Sequence, residues 1–175
     1  MLMNWFKHTL PLVITLALGC NVDTDNAPQL PEAQLKDTLQ DANKTFVSTE
    51  KQRIESYVTH HNLTMQATGT GLLYCITKST QGAMPVSNSH TTVHYTVSLL
   101  DGTLCYTTRT TGAETFRVDH DDVESGVHEG IKLMHQGEKA KFIIPTHLAH
   151  GLLGDLNKIP PRSALVYDIE LITIK

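Results

Sequence analysis

Histidine and aspartate side chains that could bind a metal ion are frequent in this chain. The sequence contains ten histidines, and His147 and His150 form an HxxH pair. Further candidate ligands occur earlier in the chain: His120, Asp119, Asp121 and Asp122. A closed zinc site has four ligands at characteristic short spacings, and these residues are too scattered to match one. The pattern therefore does not favour a metal site.

Three cysteines form the second group of side chains with reactive chemistry. Cys75 and Cys105 both lie in predicted strands. In an oxidising compartment they could form a disulfide, provided that their Cβ atoms approach to about 4 Å. Because the sequence contains no sign of that approach, we favour two buried thiols.

The third cysteine, Cys20, follows an apolar stretch that is typical of an export signal. Residues 1–19 carry one positive charge, at Lys7, before an apolar run that is too short to span a bilayer comfortably. The sequence Ala17-Leu18-Gly19-Cys20 resembles a bacterial lipobox, except that the leucine expected at position 17 is at Leu16. We therefore predict a lipoprotein signal peptide over residues 1–19 and lipid attachment at Cys20. The alternatives are an ordinary signal peptide or an uncleaved anchor.

The rest of the chain has the composition of one modest globular domain. The protein has 175 residues, of which 40% are hydrophobic and 18% are charged, and this length suffices for a single core. Its net charge is −4 and its 14 basic residues form no run, so nucleic acid is not an expected partner. The composition does not indicate an oligomeric state.

Two segments precede the predicted domain. Residues 20–32 are polar and contain proline, as is typical of a tether. Residues 33–66 contain two stretches of helical periodicity, and we predict that this helical extension packs on the domain. The apolar positions of the two stretches are Leu35, Leu39, Ala42 and Phe46, followed by Ile54, Tyr57 and Val58.

From residue 67 onward the pattern predicts strands around one helix. Thr91–Leu99 alternates, with Val93, Tyr95, Val97 and Leu99 on one face, and Asp101-Gly102 predicts a hairpin turn after it. Residues 139–144 and 165–172 alternate in the same way. This arrangement predicts an antiparallel α+β domain over residues 67–175.

The predicted helix begins near Asp121 and Asp122, where carboxylates can cap free amides. Its apolar face consists of Val123, Val127, Ile131 and Met134. Gly126 and Gly130 destabilise a helix interior, so we expect another element to approach closely there. Gly137 predicts a left-handed helix stop.

Five segments of this domain together resemble the FK506-binding-protein (FKBP) family of peptidyl-prolyl isomerases. In chain order they are VHYT at 93–96, LLDGT at 99–103, EGIKLM at 129–134, GEKAKFIIP at 137–145 and IPP…ALVYDIEL at 159–171. The resemblance implies a twisted antiparallel sheet wrapped on one central helix, here with an N-terminal helical extension. The lipid signal, tether and extension also resemble the layout of gliding-motility-associated lipoproteins of this family.

The resemblance also implies the chemistry of a prolyl-binding pocket, with no metal and no cofactor. A dry aromatic pocket favours the twisted Xaa-Pro amide, because the twisted form is less polar than the planar one. The pocket positions that keep the family residue are Tyr95, Phe116, Val123, Ile159 and Tyr167.

Other pocket positions carry residues that differ from the family pattern. Cys105 and Tyr106 replace a phenylalanine and an acid, Glu124 replaces the isoleucine that donates its amide, Val127 replaces the tryptophan floor, and His150 replaces the loop tyrosine. Carboxylates at Glu114 and Glu124 would keep water in the pocket. We therefore expect a weak isomerase.

The predicted function is a membrane-tethered isomerase that acts on proline-containing polypeptides in the bacterial cell envelope and assists the folding of exported proteins. The alternative is a non-catalytic module that uses the same pocket to hold a partner, for example in a gliding-motility complex. A general holdase is not favoured, because the insert at residues 108–114 is polar and short. We favour catalysis over binding alone.

Overall fold

The computed structural model describes residues 31–175 of the chain, so the predicted signal peptide and most of the predicted tether lie outside the described residues. Helix α1 spans Glu32–His60 and joins both predicted stretches in one helix. Its sequence contains no glycine or proline that would break it. Within the described part of the chain, no helix is long and apolar enough to cross a membrane.

Seven strands and one short helix follow α1. The strands are β1 (Gln66–Ala67), β2 (Leu73–Lys78), β3 (His90–Leu99), β4 (Leu104–Thr107), β5 (Glu114–Arg117), β6 (Lys139–Ile144) and β7 (Leu165–Ile174). Helix α2 (Ser125–Ile131) lies between β5 and β6 in the chain, and a 3-10 turn at Thr146–Leu148 follows β6.

All strands pair antiparallel in one sheet with the order β1-β2-β6-β7-β3-β4, as expected for the predicted α+β class. The long strand β3 pairs with β7 on one side. Its other side pairs with β5 over its first half and with β4 over its second half. The predicted hairpin at Asp101-Gly102 is the β3–β4 connection, where Gly102 has a φ of 87°.

Helix α2 packs against β6 at the two glycines, as the sequence predicts. A Cβ atom on Gly130 would lie 2.6 Å from Cε2 of Phe142, and one on Gly126 would overlap Ile144. Val127, between the two glycines, is only 2% exposed. Close contact between helix and sheet therefore requires the absence of both side chains.

The prediction of where α2 begins and how it is capped is wrong. The helix starts at Ser125, after Glu124, and no side chain caps it. The carboxylate of Asp121 instead accepts a hydrogen bond of 2.7 Å from the backbone N–H of Arg117, within the turn that leads from β5. After Ile131 the helix gives way to turns, in which the N–H groups of Leu133 and Met134 donate to carbonyl oxygens three residues earlier. Met134 is nevertheless fully buried.

Cys75 and Cys105 are free thiols on strands near opposite edges of the sheet. Cys75 lies on β2 and Cys105 on β4, with three strands between them. At about 4.8 Å between neighbouring strands, this arrangement excludes a disulfide between them. Burial raises the pKa of both thiols.

Residues 40–175 form one compact unit, which includes the second part of α1. Within this unit, Ile54 of α1 packs with Ile143, Ala164 and Val166 in a second buried cluster beside the main core. The predicted packing of the helical extension on the domain is therefore confirmed for this part of the helix.

A buried carboxylate also holds α1 to the domain. Glu50 is 9% exposed, and its Oε1 accepts hydrogen bonds from the backbone N–H of Thr146, at 2.9 Å, and from the Thr146 hydroxyl. Thr146 in turn accepts the amides of Ala149 and Gly151 through its carbonyl oxygen. The contact thus joins α1 to the start of the loop that follows β6.

We expect Glu50→Ala to lower the free energy of unfolding by about 1–3 kcal/mol, because two buried donors lose their acceptor. Glu50→Gln should restore most of this loss, since the amide keeps an oxygen at the same place. Urea unfolding of the three proteins measures the difference. Glu55→Ala is the matched control, because Glu55 lies on the same helix with its side chain 62% exposed, and its loss should stay within about 0.5 kcal/mol. An equal loss from Glu55→Ala would contradict the assignment.

Candidate prolyl-binding cleft

A cleft of about 470 Å³ opens between β3, β7 and the start of α2. The inward faces of the two strands supply its apolar base, and Val127 of α2 adds to it. The alternation of β3 points Val93, Tyr95 and Val97 to this side. Across the β3–β7 ladder, Tyr95 pairs with Ile169 and Val97 pairs with Tyr167.

The structure brings together every predicted pocket residue except Cys105 and Ile159. The cleft is lined by Tyr95, Tyr106, Phe116, Val123, Glu124, Val127, His150 and Tyr167. Cys105 and Ile159 are each 2% exposed in the adjoining core and are not among the residues that line the cleft.

Four aromatic rings line the cleft, those of Tyr95, Tyr106, Phe116 and Tyr167. The rings of Tyr95 and Tyr167 have centroids 5.7 Å apart, at an angle of 47°. Phe116 on β5 packs edge-on against the ring of His128 at 5.6 Å. His128 is fixed in turn by two backbone contacts, since its Nδ1 accepts from the N–H of Asp119 and its Nε2 lies 3.0 Å from the carbonyl oxygen of Asp121. The Phe116 wall is therefore supported by a histidine whose two ring nitrogens both have backbone partners.

The hydroxyls of Tyr95 and Tyr167 each donate to a carboxylate in the cleft. Tyr95 donates to Glu114 at 2.8 Å, and Tyr167 donates to Glu124 at 2.6 Å. Burial and the hydrogen bond to Glu114 raise the pKa of Tyr95. Burial and the negative charge of Glu124 raise the pKa of Tyr167. Both hydroxyls are thus protonated donors at neutral pH.

Glu124 contributes two different groups to the site. Its side chain is 12% exposed, and Oε1 lies 2.9 Å from Nε2 of His150 in addition to accepting from Tyr167. Its backbone N–H, just before α2, donates to no protein acceptor within residues 31–175. The carboxylate makes the cleft more polar, while the free N–H can donate to a ligand's carbonyl oxygen.

A second polar group lies where the loop after β6 meets β4. The hydroxyl of Tyr106 donates to Asp155, which also accepts the backbone N–H groups of Ile159 and Asn157, at 2.7 and 2.9 Å. Burial alone raises the pKa of Asp155, but these hydrogen bonds outweigh it and lower the pKa to about 2. Ile159 therefore helps to hold Asp155 in place from behind the cleft.

Several lining residues were not among the predicted site residues. They are Val93, Val97, Ile169, Thr115, Asp121, Asp122 and Asp155, together with Glu114, which the sequence suggested only as a rim residue. The alternation of β3 and β7 indicates that Val93, Val97 and Ile169 face the inner side of the sheet. Asp155 lies in an irregular loop, where no periodic signal exists.

The HxxH pair does not form a joint site. Nε2 of His147 lies 2.9 Å from the carbonyl oxygen of Thr70, whereas His150 contacts Glu124. Among residues 31–175, no group of three or more His, Cys, Asp or Glu side chains is arranged to hold a metal ion.

Comparison with known proteins identifies the domain. A sequence model of the FKBP-type peptidyl-prolyl cis-trans isomerases matches residues 82–172. The chain is 36% identical over 112 residues to the FKBP-type peptidyl-prolyl cis-trans isomerase FkpA of Escherichia coli K12, covering 63% of this chain and 40% of that relative. It is 40% identical over 92 residues to the macrophage infectivity potentiator of Trypanosoma cruzi, covering 52% of this chain and 46% of that relative.

A solved structure agrees with these similarities. The crystal structure of FkpA from Escherichia coli superposes with a TM-score of 0.66 at 28% identity, covering 84% of this chain and 74% of that one. The chain spans less than half the length of the two curated relatives. Since the family match includes more than half of the sequence, the chain belongs to the family of FKBP-type peptidyl-prolyl cis-trans isomerases.

Proposed function

We propose that the cleft catalyses cis-trans isomerisation of Xaa-Pro bonds in polypeptides. The observation that carries the proposal is the combination of an aromatic-walled apolar cleft with the free backbone N–H of Glu124 at its edge. The rings can surround a proline side chain, and the N–H can hold a substrate carbonyl oxygen.

The chemistry needs no covalent intermediate. The barrier to rotation about a peptide bond is about 18–20 kcal/mol, because rotation breaks amide resonance. The twisted amide is less polar than the planar one, so an apolar cleft that excludes water destabilises the planar ground state relative to it. A positioned donor that favours the twisted geometry lowers the barrier further.

Two features of the cleft favour a weak catalyst. Val127 offers the proline ring less apolar contact than a large aromatic residue would, a difference of about 1–3 kcal/mol. The Glu124 carboxylate is held in the cleft by Tyr167 and His150, and a carboxylate retains water. Together these features lower the rate by one or more orders of magnitude without removing the site.

We expect the protein to accelerate isomerisation in a protease-independent assay with peptides that carry uncharged residues before proline. Tyr95→Ala should lower kcat/KM about tenfold, because an aromatic wall of the cleft is lost. Tyr57→Ala is the aromatic control, since Tyr57 lies on α1 outside the cleft. No acceleration by a folded wild-type sample would reject catalysis.

The second candidate function is a binding module without catalysis. The hydrogen-bonded Glu124 carboxylate favours it. This charged group keeps water in the part of the cleft where an apolar surface would accelerate rotation about the Xaa-Pro bond. Peptide binding without acceleration, measured by chemical-shift changes at Tyr95 and Val127, would establish the binding module instead. A role in a gliding-motility complex would belong to the same alternative.

Replacing the carboxylate should improve the catalyst. We expect Glu124→Ile to raise kcat/KM about threefold or more on uncharged peptides, because the cleft loses a largely buried charge while the backbone N–H remains. Glu124→Gln should give a smaller gain, since it removes the charge and keeps a polar group. A fall in kcat/KM for both variants would show that the carboxylate assists the reaction.

We also propose that lipid on Cys20 tethers the domain to a membrane of the bacterial cell envelope, where it acts on exported polypeptides. The support is the sequence before Cys20, which lies outside the described residues. The expected result is incorporation of labelled palmitate by the wild-type chain and none by Cys20→Ser. Cys75→Ser is the control and should keep the label. Labelling of Cys20→Ser would contradict the proposed attachment site.

A further inference from the structure

We propose that the cleft prefers proline-containing segments in which a lysine or arginine lies directly beside the proline. The inference rests on the proposed function, because it names the substrate class of the same cleft. Its starting point is the charge of the lining. Five carboxylates line the cleft: Glu114, Asp121, Asp122, Glu124 and Asp155. Within the described chain, no lysine or arginine lines it, and its single histidine is His150.

Two of these carboxylates already accept hydrogen bonds from neighbouring groups of the protein. Asp155 accepts hydrogen bonds from the Tyr106 hydroxyl and two backbone amides, and Asp121 accepts from the N–H of Arg117. Near Asp155, Nζ of Lys158 lies 5.1 Å from the centre of the Tyr106 ring. Asp155 and Asp121 therefore have fewer free acceptor positions for an incoming cation than the other carboxylates.

The other three carboxylates can still accept from an incoming cation. Asp122 is exposed, and among residues 31–175 its side chain accepts no hydrogen bond. Glu114 is exposed and, in the described part of the chain, accepts only from Tyr95, through Oε2. Glu124 is contacted by Tyr167 and His150 through the single oxygen Oε1. A carboxylate has about four lone-pair positions, so each retains capacity for an ammonium or guanidinium group.

The aromatic and aliphatic walls strengthen the effect of these charges. Apolar walls screen less than water, and a cleft lined by one sign of charge concentrates the field along its axis. The proline ring is uncharged and takes the apolar base, so discrimination by charge applies to the residues on either side of it. A basic neighbour is attracted, whereas an acidic neighbour is repelled.

The test uses the full chain in a mild nonionic detergent and a matched peptide series. The residue before or after proline is Lys, Arg, Leu or Glu, and kcat/KM is measured for each peptide at low ionic strength. We expect the Lys and Arg peptides to exceed the Glu peptides by about fivefold or more, with Leu between them. The ratio should fall below about twofold near 1 M salt, where the Debye length is about 3 Å.

A charge variant distinguishes the effect of the cleft carboxylates on peptide preference from the effect of the protein's overall charge. Asp122→Asn should at least halve the Lys-to-Glu ratio, because it removes an exposed rim charge that supports no hydrogen bond. Glu55→Asn is the control, since it removes the same charge from an exposed site on α1 outside the cleft. It should leave the ratio unchanged.

The outcomes distinguish this inference from the proposed function. Acceleration that is equal for all peptides, or greatest for Glu, overturns the inference and leaves the isomerase intact. If no peptide is accelerated, binding of the same series is measured by chemical-shift titration. A preference for Lys and Arg in binding then supports the inference although catalysis has failed, and equal binding overturns both.

Discussion

The close contact of α2 with β6 determines the geometry of the cleft. Gly126 and Gly130 allow the helix to lie against Ile144 and Phe142, where no Cβ would fit. Val127 is thereby pressed into the base of the cleft, and the free N–H of Glu124 comes to its edge. A helix displaced by the width of a methyl group would move both residues together, since Glu124 directly precedes the first turn that contains Val127. The chemistry of the site thus depends on two residues that do not line it.

Much of the fold could be predicted because the long strands alternate in sequence, although β6 and β7 also bury Ile143 and Val166 on their second face, against α1. The alternation in β3 and β7 and the Asp-Gly hairpin are local signals, and each corresponds to an element of the structure. The start of α2 could not be predicted in the same way. Asp121 was expected to cap the helix, but it accepts from Arg117 instead. The Asp121 carboxylate can accept either from the helix N-terminus or from the preceding turn, and the sequence does not show how that turn folds. The two-residue strand β1 is too short for any periodicity.

The site was predictable only through the family resemblance. Periodicity places Tyr95 and Tyr167 on the inner faces of their strands, but an inward tyrosine is equally compatible with a closed core. Their hydroxyl partners were not predictable, since Glu124 precedes Tyr167 by 43 residues and meets it only in the folded chain. Position in a motif also does not determine exposure. Cys105 and Ile159 match pocket positions of the family, yet they lie in the adjoining core.

The contact between Glu50 and Thr146 joins residues separated by 96 positions in the chain. The helix that carries Glu50 is synthesised well before β6 and the loop that follows it. The donors for this carboxylate, both on Thr146, are therefore absent until most of the domain has been synthesised. Closing such a long loop is slow compared with forming a helix. The Glu50 contact therefore attaches α1 to the domain only once the loop after β6 has taken its position, so this attachment depends on the rest of the domain and not on the helix alone.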